Sequence, residues 1–408
     1  MSTWTIDADT HMNEQPDLFT ARFPKQLLDR APRVVDVPRG KAWQWDTGRR
    51  SSITPLCNAA GKSPLTWTLF SDGYDDTFRS GAWDPRARLE DMALDMVDAH
   101  VLFPTYLLTG SGHLSHDREV QIACVQAYNN WISEFAAYDL GRFIAVGLVP
   151  VTSVEDAIAE VRRAAALPGI HGILLSAWPN GGHNPDHPVD DVFWSVLEEL
   201  NLALIVHVGF AEGGEVETAG EAADQSREGA GNGAADRIAT ITLAMLNPER
   251  QAVSTVPLLG HLILGGVLER HPRLRVGFAE VGAGWVPFFL EQTNDNFSRH
   301  RFWTKTTLPM MPSEYWYRQC FATFQQDRYA VRNRDLVGVH TMMWSSDYPH
   351  TGADWPNSRT GIAAQLDGVP EVEQRLILAE NARRLYGLPT AAPATAVTPA
   401  TAPGSVSG

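Results

Sequence analysis

The segment Asp7-Ala8-Asp9-Thr10-His11 places two carboxylates and one imidazole at alternate positions near the start of the chain. Alternate side chains of a β-strand lie on the same face, so Asp7, Asp9 and His11 are expected to point in one direction. A carboxylate and an imidazole held side by side bind divalent first-row metals. Taken alone, this pattern also fits a hydrogen-bonded strand end.

Three later apolar runs lead to a side chain of the same kind. His207 follows one run, Glu280 follows the next, and Asp347 begins the segment DYPH after the last. A charged side chain at the end of a buried strand is costly without a partner or a metal. The four strand ends together predict a metal centre. Three of these strand ends supply its four expected ligands: Asp9, His11, His207 and Asp347.

Short apolar, β-rich runs alternate with helix-length segments, which is typical of a parallel sheet built from βα units. Eight such runs fit an α/β fold of the (β/α)8 TIM-barrel type, whose active sites lie at the C-terminal ends of the strands. Helices are predicted at 153–166, 192–200 and 256–270, and Asp84 is expected to cap another that begins near Pro85. The eight predicted strands cover residues 4–9, 100–103, 143–149, 172–175, 202–206, 274–278, 320–324 and 340–344.

Residues 1–388 are predicted to form a single metal-dependent barrel domain. Two segments exceed a minimal barrel: an insertion of residues 20–82 after the first strand and one of residues 211–236 after the fifth. Both leave from the C-terminal face of the strands, where long loops often act as lids, although the second also fits a disordered surface loop. Residues 389–408, rich in Ala, Pro and Thr, predict a disordered tail.

Composition limits the partners of the chain. The formal net charge of −15 argues against nucleic acid and anionic membrane surfaces, since both favour a basic protein face. No apolar stretch approaches the roughly 20 residues of a membrane span, and the N-terminus lacks the pattern of a secretory signal. We therefore expect a soluble, cytoplasmic protein with no membrane partner.

Five segments resemble the amidohydrolase-related branch of the amidohydrolase superfamily, which includes aminocarboxymuconate-semialdehyde decarboxylase. They are IDADTH, GAWDPRARLEDM, LIVHVG, LILGGVLERHPRLRVGFAEVGAGWVP and WSSDYPHTGADWPNS, and the resemblance extends over about residues 1–388. It implies a metal held by a first-strand pair, a fifth-strand histidine and an eighth-strand aspartate, which are Asp9, His11, His207 and Asp347 here.

The chain departs from that branch at two positions. Glu280, within AEVG, stands where the decarboxylases of the branch have the histidine that is their acid/base residue, and Asp9 replaces one imidazole of the first-strand pair. The predicted site is therefore richer in oxygen ligands. His350 and His261 are close enough in the predicted arrangement to add further imidazoles.

So many ligands exceed what one catalytic ion usually takes, because such an ion keeps a coordination position open. Carboxylate and imidazole ligands without thiolate suit iron, so two Fe ions are expected. This variant pattern resembles the TIM-barrel nonheme diiron monooxygenases, a group that includes the diterpenoid hydroxylase of platensimycin and platencin biosynthesis.

The second resemblance implies an oxidoreductase of secondary metabolism that uses O2 to hydroxylate a C–H bond of a small-molecule substrate. That substrate is expected to be bulky and apolar, either terpenoid or CoA-linked, and the resemblance to the wider family implies a homodimer. An external electron donor is expected, because no GxGxxG motif follows a predicted strand. The alternative is a hydrolase or a nonoxidative decarboxylase with one Zn or Mn ion, and a third hypothesis is an inactive barrel that serves as a binding module.

Glu280 and Asp347 are the predicted catalytic residues. Glu280 is expected to bind or bridge a metal, with general-base action in a hydrolase as the alternative. His350 fits a ligand and a positioning role equally well. His261, expected early in the helix at 256–270, fits either a metal ligand or a buried core histidine.

Overall fold

The computed structural model describes residues 4–37, 40–53, 60–63, 78–108, 114–179, 186–208 and 247–389. The expected lid at 211–236 lies outside the described residues, as does all but the first residue of the predicted tail at 389–408. The expected insertion at 20–82 lies partly inside them. The structure therefore leaves the predictions of a second lid and of a disordered tail as predictions.

The eight predicted strands form one parallel sheet in which each strand pairs with the next one along the chain. The sheet closes on itself where Thr10 bridges to Tyr348 and the His11 N–H donates to the Tyr348 carbonyl at 2.6 Å. The expected α/β barrel is confirmed. The strands of the described chain are β1 Ile6–His11, β2 Arg33–Val37, β3 Gly40–Gln44, β4 Arg50–Ser52, β5 Ala99–Phe103, β6 Phe143–Leu148, β7 Ile170–Leu174, β8 Ala203–His207, β9 Val276–Ala279, β10 Cys320–Phe324 and β11 Met342–Trp344.

The barrel consists of β1 and of β5 through β11. These strands are buried along nearly their whole length, which explains why most of them, β6 and β8 among them, appear as continuous apolar runs. Two of them extend further than predicted: β1 ends at His11 and β8 at His207, so both histidines belong to the strands themselves. The last strand is shorter than predicted, because Val339–Thr341 forms a 3-10 turn before it.

Helices cover the barrel between its strands. The expected cap is confirmed, since the Asp84 side chain accepts a hydrogen bond from the Ala87 N–H at 2.7 Å and Pro85 opens the helix. The α-helices are α1 Pro85–Asp95, α2 Arg118–Ala136, α3 Val154–Ala164, α4 Asp191–Glu199, α5 Asn247–Leu264, α6 Val267–Arg270, α7 Val286–His300, α8 Pro312–Gln319, α9 Arg328–Arg332, α10 Arg334–Val337, α11 Ser358–Gln365, α12 Glu371–Arg375 and α13 Asn381–Tyr386.

The prediction of a single helix at 256–270 is wrong. The chain forms two helices there, α5 and α6, and the first begins at Asn247. Gly266, between the two, adopts a φ of 77°, a left-handed conformation that glycine takes without the steric cost of a side chain. The break redirects the chain before β9.

A second, three-stranded antiparallel sheet of β2, β3 and β4 occupies the described part of the first insertion, and the sequence did not predict it. Its fully buried Trp43 stacks on Trp45, with ring centroids 5.5 Å apart, and meets Phe19 edge-on at 5.6 Å. Aromatic burial of this kind provides a large apolar contact, so the insertion packs against the main core. No helix within the described residues is long and apolar enough to cross a membrane.

Candidate metal centre

Four donor atoms converge where the first, fifth and eighth barrel strands end. Nε2 of His11 lies 3.4 Å from Oδ1 of Asp9 and 3.3 Å from Oδ1 of Asp347. Nε2 of His207 lies 3.4 Å from the same Asp9 oxygen. All four side chains are buried. The four residues that the sequence singles out as metal ligands are thus brought together.

These four donor atoms have no hydrogen-bond partner. A buried donor or acceptor left unsatisfied costs about 1–3 kcal/mol, so four together at one point indicate that something else belongs there. Ligands held tetrahedrally at about 2.1 Å from an ion lie about 3.4 Å from one another, and the three separations given above, His11–Asp9, His11–Asp347 and His207–Asp9, match that spacing. The arrangement therefore fits one divalent metal ion.

The tautomer of His11 supports the same conclusion. Its Nδ1 lies 2.7 Å from the carbonyl oxygen of Pro104, and a carbonyl only accepts, so Nδ1 carries the proton. Nε2 is then the ring nitrogen left to bind an ion. An outer carbonyl that fixes the ring of a histidine in this way is a usual support for a metal ligand.

The pKa shifts at this site indicate that a proton on His11 competes with a metal ion. Burial raises the pKa of Asp9, but the neighbouring imidazoles of His207 and His11 outweigh it and hold this pKa below its usual range. Burial lowers the pKa of His11, yet the carboxylates of Asp347 and Asp9 raise it well above the usual value. A metal ion must displace that proton, so metal affinity is expected to increase with pH.

Glu280 lies at the rim of this cluster. It follows β9, and its Oε2 is 3.8 Å from Nε2 of His207, with 24% of the side chain exposed. Its backbone N–H donates to Oγ1 of Thr323 at 2.7 Å. Glu280 and Asp347 have φ angles of 56° and 60°, a left-handed conformation that is unusual for residues other than glycine and is common at functional sites.

Two donor groups of three residues each could hold an ion: Asp9, His11 and His207 form the first, and His11, Asp347 and His350 form the second. The ring of His350 stacks on that of His11 with centroids 3.9 Å apart. Its Nδ1 lies 3.0 Å from Oδ1 of Asp347, and its Nε2 lies 3.2 Å from the hydroxyl of Thr105. The structure thus brings His350 to the site, with both the ligand role and the positioning role still open.

Two other residues of the predicted arrangement lie elsewhere. His261 is in the last turn of α5 rather than early in a helix, because that helix begins at Asn247. Its Nδ1 is 3.8 Å from Oδ1 of Asp186, and 33% of its side chain is exposed. Asp7 joins neither donor group; its Oδ1 accepts from the Ser346 N–H at 2.9 Å instead.

The sequence did not predict the contribution of three residues at the site whose side chains are not ionisable. Thr323, on β10, joins the Glu280 backbone to Oδ2 of Asp9, which lies 3.5 Å from the threonine hydroxyl. Pro104 and Thr105 act through a carbonyl and a hydroxyl. Their only signal is position, since each lies at or directly after the end of a barrel strand.

Behind β1 lies a second buried cluster, centred on Arg88 of α1. The guanidinium donates from Nη2 to the carbonyl of His11 at 2.5 Å, from Nε to the carbonyl of Gly81 at 2.5 Å, and from Nη1 to Nδ1 of His100 at 3.1 Å. It also lies over the ring of Tyr348, 4.5 Å from the centroid. Arg88 therefore anchors the backbone of a predicted metal ligand.

Known proteins of similar sequence or structure include two decarboxylases. The 2-amino-3-carboxymuconate-6-semialdehyde decarboxylase of Dictyostelium discoideum is 26% identical over 299 residues, which cover 73% of this chain and 74% of the relative. Amidohydrolase map2389c of Mycobacterium avium subsp. paratuberculosis superposes with a TM-score of 0.72 at 19% identity, covering 95% of this chain and 100% of its own. The 5-carboxyvanillate decarboxylase of Novosphingobium aromaticivorans, in complex with manganese and 4-hydroxy-3-methoxy-5-nitrobenzoic acid, gives a TM-score of 0.60 at 15% identity and covers 95% and 97%.

The expectation of a diiron monooxygenase is wrong, because both of the relatives above that have a named reaction are decarboxylases. The expected pair of Fe ions is wrong as well. The two donor groups share His11, and this residue offers only Nε2, because its Nδ1 is bound to a carbonyl. The similar decarboxylase structure was solved with manganese. The need for O2 and for an electron donor depends on the oxygenase interpretation alone, and the homodimer stays a prediction.

The remaining comparison concerns the whole chain. The amidohydrolase family model matches residues 6–388 of the 408. This match includes every barrel strand and all the predicted ligands, and it agrees with the first of the two resemblances drawn from the sequence. The chain belongs to the amidohydrolase family.

Proposed function

We propose that this protein is a nonoxidative decarboxylase that uses one Mn or Zn ion held by Asp9, His11, His207 and Asp347. The observation that carries the proposal is the convergence of four buried donor atoms without hydrogen-bond partners, three of whose separations, at 3.3–3.4 Å, match those of the ligands of one ion. The decarboxylases among the similar proteins support the choice of reaction.

The charge of the ligand set bears on how a substrate would bind. Two carboxylates balance the charge of a divalent ion, and the two imidazoles add no charge when the ion is bound. A bound ion supplies a Lewis acid that attracts the substrate carboxylate and an adjacent oxygen. The proposed substrate class is a carboxylic acid with a hydroxyl or carbonyl oxygen next to the carboxylate, on an aromatic or unsaturated carbon frame.

The reaction replaces a C–COO⁻ bond with a C–H bond, so that one carboxylate and one proton give CO2 and the decarboxylated product. A side chain must deliver that proton to the carbon. Glu280 is the proposed donor, because it lies at the exposed rim of the cluster with an oxygen 3.8 Å from His207. It gives its proton as the carbon–carboxylate bond breaks, and it recovers one from water. Asp347 is proposed to hold His350 and the ion.

The test uses protein loaded with Mn or Zn and a panel of ortho-hydroxylated aromatic acids, with CO2 release as the readout. We expect one ion per chain, equal rates with and without O2, and a loss of about 100-fold or more in Glu280→Gln with the metal content unchanged. Glu291→Gln, a substitution on the exposed face of α7, is the matched control and should behave like the wild type.

Three results would overturn the proposal. One is a wild-type protein that binds no stoichiometric metal. Another is a loaded protein that hydrolyses esters or lactones and releases no CO2 from any acid of the panel. The third is Glu280→Gln with undiminished activity, which would remove Glu280 as the proton donor.

A further inference from the structure

The segment 104–107 follows β5 and touches both imidazoles on one side of the metal centre. The Pro104 carbonyl accepts from Nδ1 of His11 at 2.7 Å, and the Thr105 hydroxyl lies 3.2 Å from Nε2 of His350. The two rings are stacked, 3.9 Å apart and inclined by 21°. A shift of this short segment would therefore turn both rings together.

Glu14 holds the segment in place. Its carboxylate accepts hydrogen bonds from three successive backbone N–H groups, those of Thr105 at 3.1 Å, Tyr106 at 3.2 Å and Leu107 at 3.3 Å. Backbone N–H groups that converge in this way form a concave binding site for an anion, here filled by a side chain of the same protein.

The burial of Glu14 shows that the contact is not a surface accident. The side chain is fully buried, and burial raises its pKa to about 7 despite the stabilising backbone N–H groups. A buried carboxylate is retained only where its hydrogen bonds offset the cost of desolvation. Glu14 is three residues from His11 in sequence, and β1 ends between them, so the end of β1 and the segment 104–107 are fixed relative to each other.

We propose that Glu14 is a positioning residue for the metal centre, which orients His11 and His350 through the segment 104–107 without touching the ion. The inference rests on the proposed function in that it takes His11 as a metal ligand. Outer contacts that orient a ligating histidine typically change metal affinity 10- to 100-fold when removed. Glu14 acts one contact further out, through the carbonyl and the hydroxyl that hold the rings.

Four substitutions separate positioning from general stability. Glu14→Gln keeps the shape of the side chain but replaces one acceptor oxygen by an amide that donates, so at least one of the three backbone bonds is lost. Asp95→Asn is the matched control, since Asp95 is also a buried carboxylate that accepts a backbone N–H, that of Ser358 at 2.9 Å. Thr105→Val removes the hydroxyl at His350, and Thr105→Ser restores it.

The first readout is titration with Co²⁺, whose visible absorption spectrum reports ligand geometry. We expect Glu14→Gln to weaken Co²⁺ binding about tenfold and to change the spectrum of the bound ion. Thr105→Val should change the spectrum, and Thr105→Ser should return it to that of the wild type. Asp95→Asn should match the wild type in both affinity and spectrum. Identical behaviour of Glu14→Gln and Asp95→Asn would overturn the inference.

The second readout needs no metal. In metal-free protein labelled with ¹⁵N-histidine, Glu14→Gln should shift the imidazole resonances of His11 and His350, while Asp95→Asn should leave them in place. Unshifted resonances in Glu14→Gln would overturn the positioning of the rings. If the wild type bound no Co²⁺ but Glu14→Gln still shifted these resonances, the proposed function alone would be contradicted, so the two failures are distinguishable.

Discussion

The metal centre and the Arg88 cluster meet at the same strand end, that of β1, and both consist of buried polar side chains. Around Arg88 the hydrogen-bond donors have partners. The Arg88 nitrogens donate to the carbonyls of Gly81 and His11, and the Tyr348 hydroxyl donates to Asp91. At the metal centre the four inward atoms of the ligands have no hydrogen-bond partner. Residue types alone do not distinguish these two clusters.

The difference lies in satisfaction of hydrogen bonds. A buried polar group usually finds a partner within the protein, and groups that do not find one call for an explanation. The polar groups of Arg88 bind backbone carbonyls, so loss of this side chain should reduce the free energy of unfolding with or without metal. The metal centre keeps its donor atoms for a ligand, so its removal should reduce metal binding and activity first.

His207→Ala should give the largest effect. Loss of one ligand is expected to reduce activity roughly a thousandfold, because a metal ion contributes several kcal/mol to stabilisation of charge in the reaction. Metal at 100 times its Kd should stabilise the wild type by about 2.7 kcal/mol, and this gain should disappear in the variant. Urea unfolding with and without metal measures it; an undiminished gain would place the ion elsewhere.

Arg88→Met should destabilise the protein by about 3 kcal/mol, because it leaves the carbonyls of Gly81 and His11 without their donor. The loss should be the same in metal-free and metal-loaded protein. Arg86→Met is the control: Arg86 is 78% exposed beside Glu90, and its loss should cost less than about 0.5 kcal/mol. A destabilisation that appears only in the metal-loaded protein would show that the Arg88 cluster and the metal centre act as one functional unit.

Thr323→Val should give a smaller effect, a metal affinity weakened about tenfold with unfolding in the metal-free state little changed. The hydroxyl joins the Glu280 N–H to Asp9, so its removal loosens one ligand and the proposed proton donor together. Competition with a chelator measures the affinity. Thr323→Ser keeps the hydroxyl and should retain the wild-type value; a loss of the same size in both variants would point to packing instead.

The barrel, and the convergence of the four predicted ligands, could be predicted from the sequence for a simple reason. Strands buried on both faces appear as continuous apolar runs, and an ionisable residue that ends such a run is conspicuous. His207 and Asp347 were found in this way. Their separation in sequence is irrelevant to their meeting, because all the strands of a parallel barrel end on the same side.

What the sequence did not predict depends on contacts that have no local pattern. Pro104 and Thr105 act through a carbonyl and a hydroxyl, and the role of Glu14 is visible only once three amides are seen to face it. The number of metal ions also required the structure. A count of potential ligands suggested two ions, whereas the geometry shows His11 shared between both donor groups.

The closure of the barrel has a consequence for how its first and last strands are held together. The first and last barrel strands meet at the metal centre, where the Asp347 N–H donates to the Asp9 carbonyl at 3.1 Å and the Ser346 N–H donates to Asp7 across 339 residues of sequence. Joining segments so distant in the chain carries a large entropic cost. An ion bound by Asp9 and Asp347 would fasten this seam as a cross-link does, so that the group proposed for the chemistry would also hold the two ends of the barrel together.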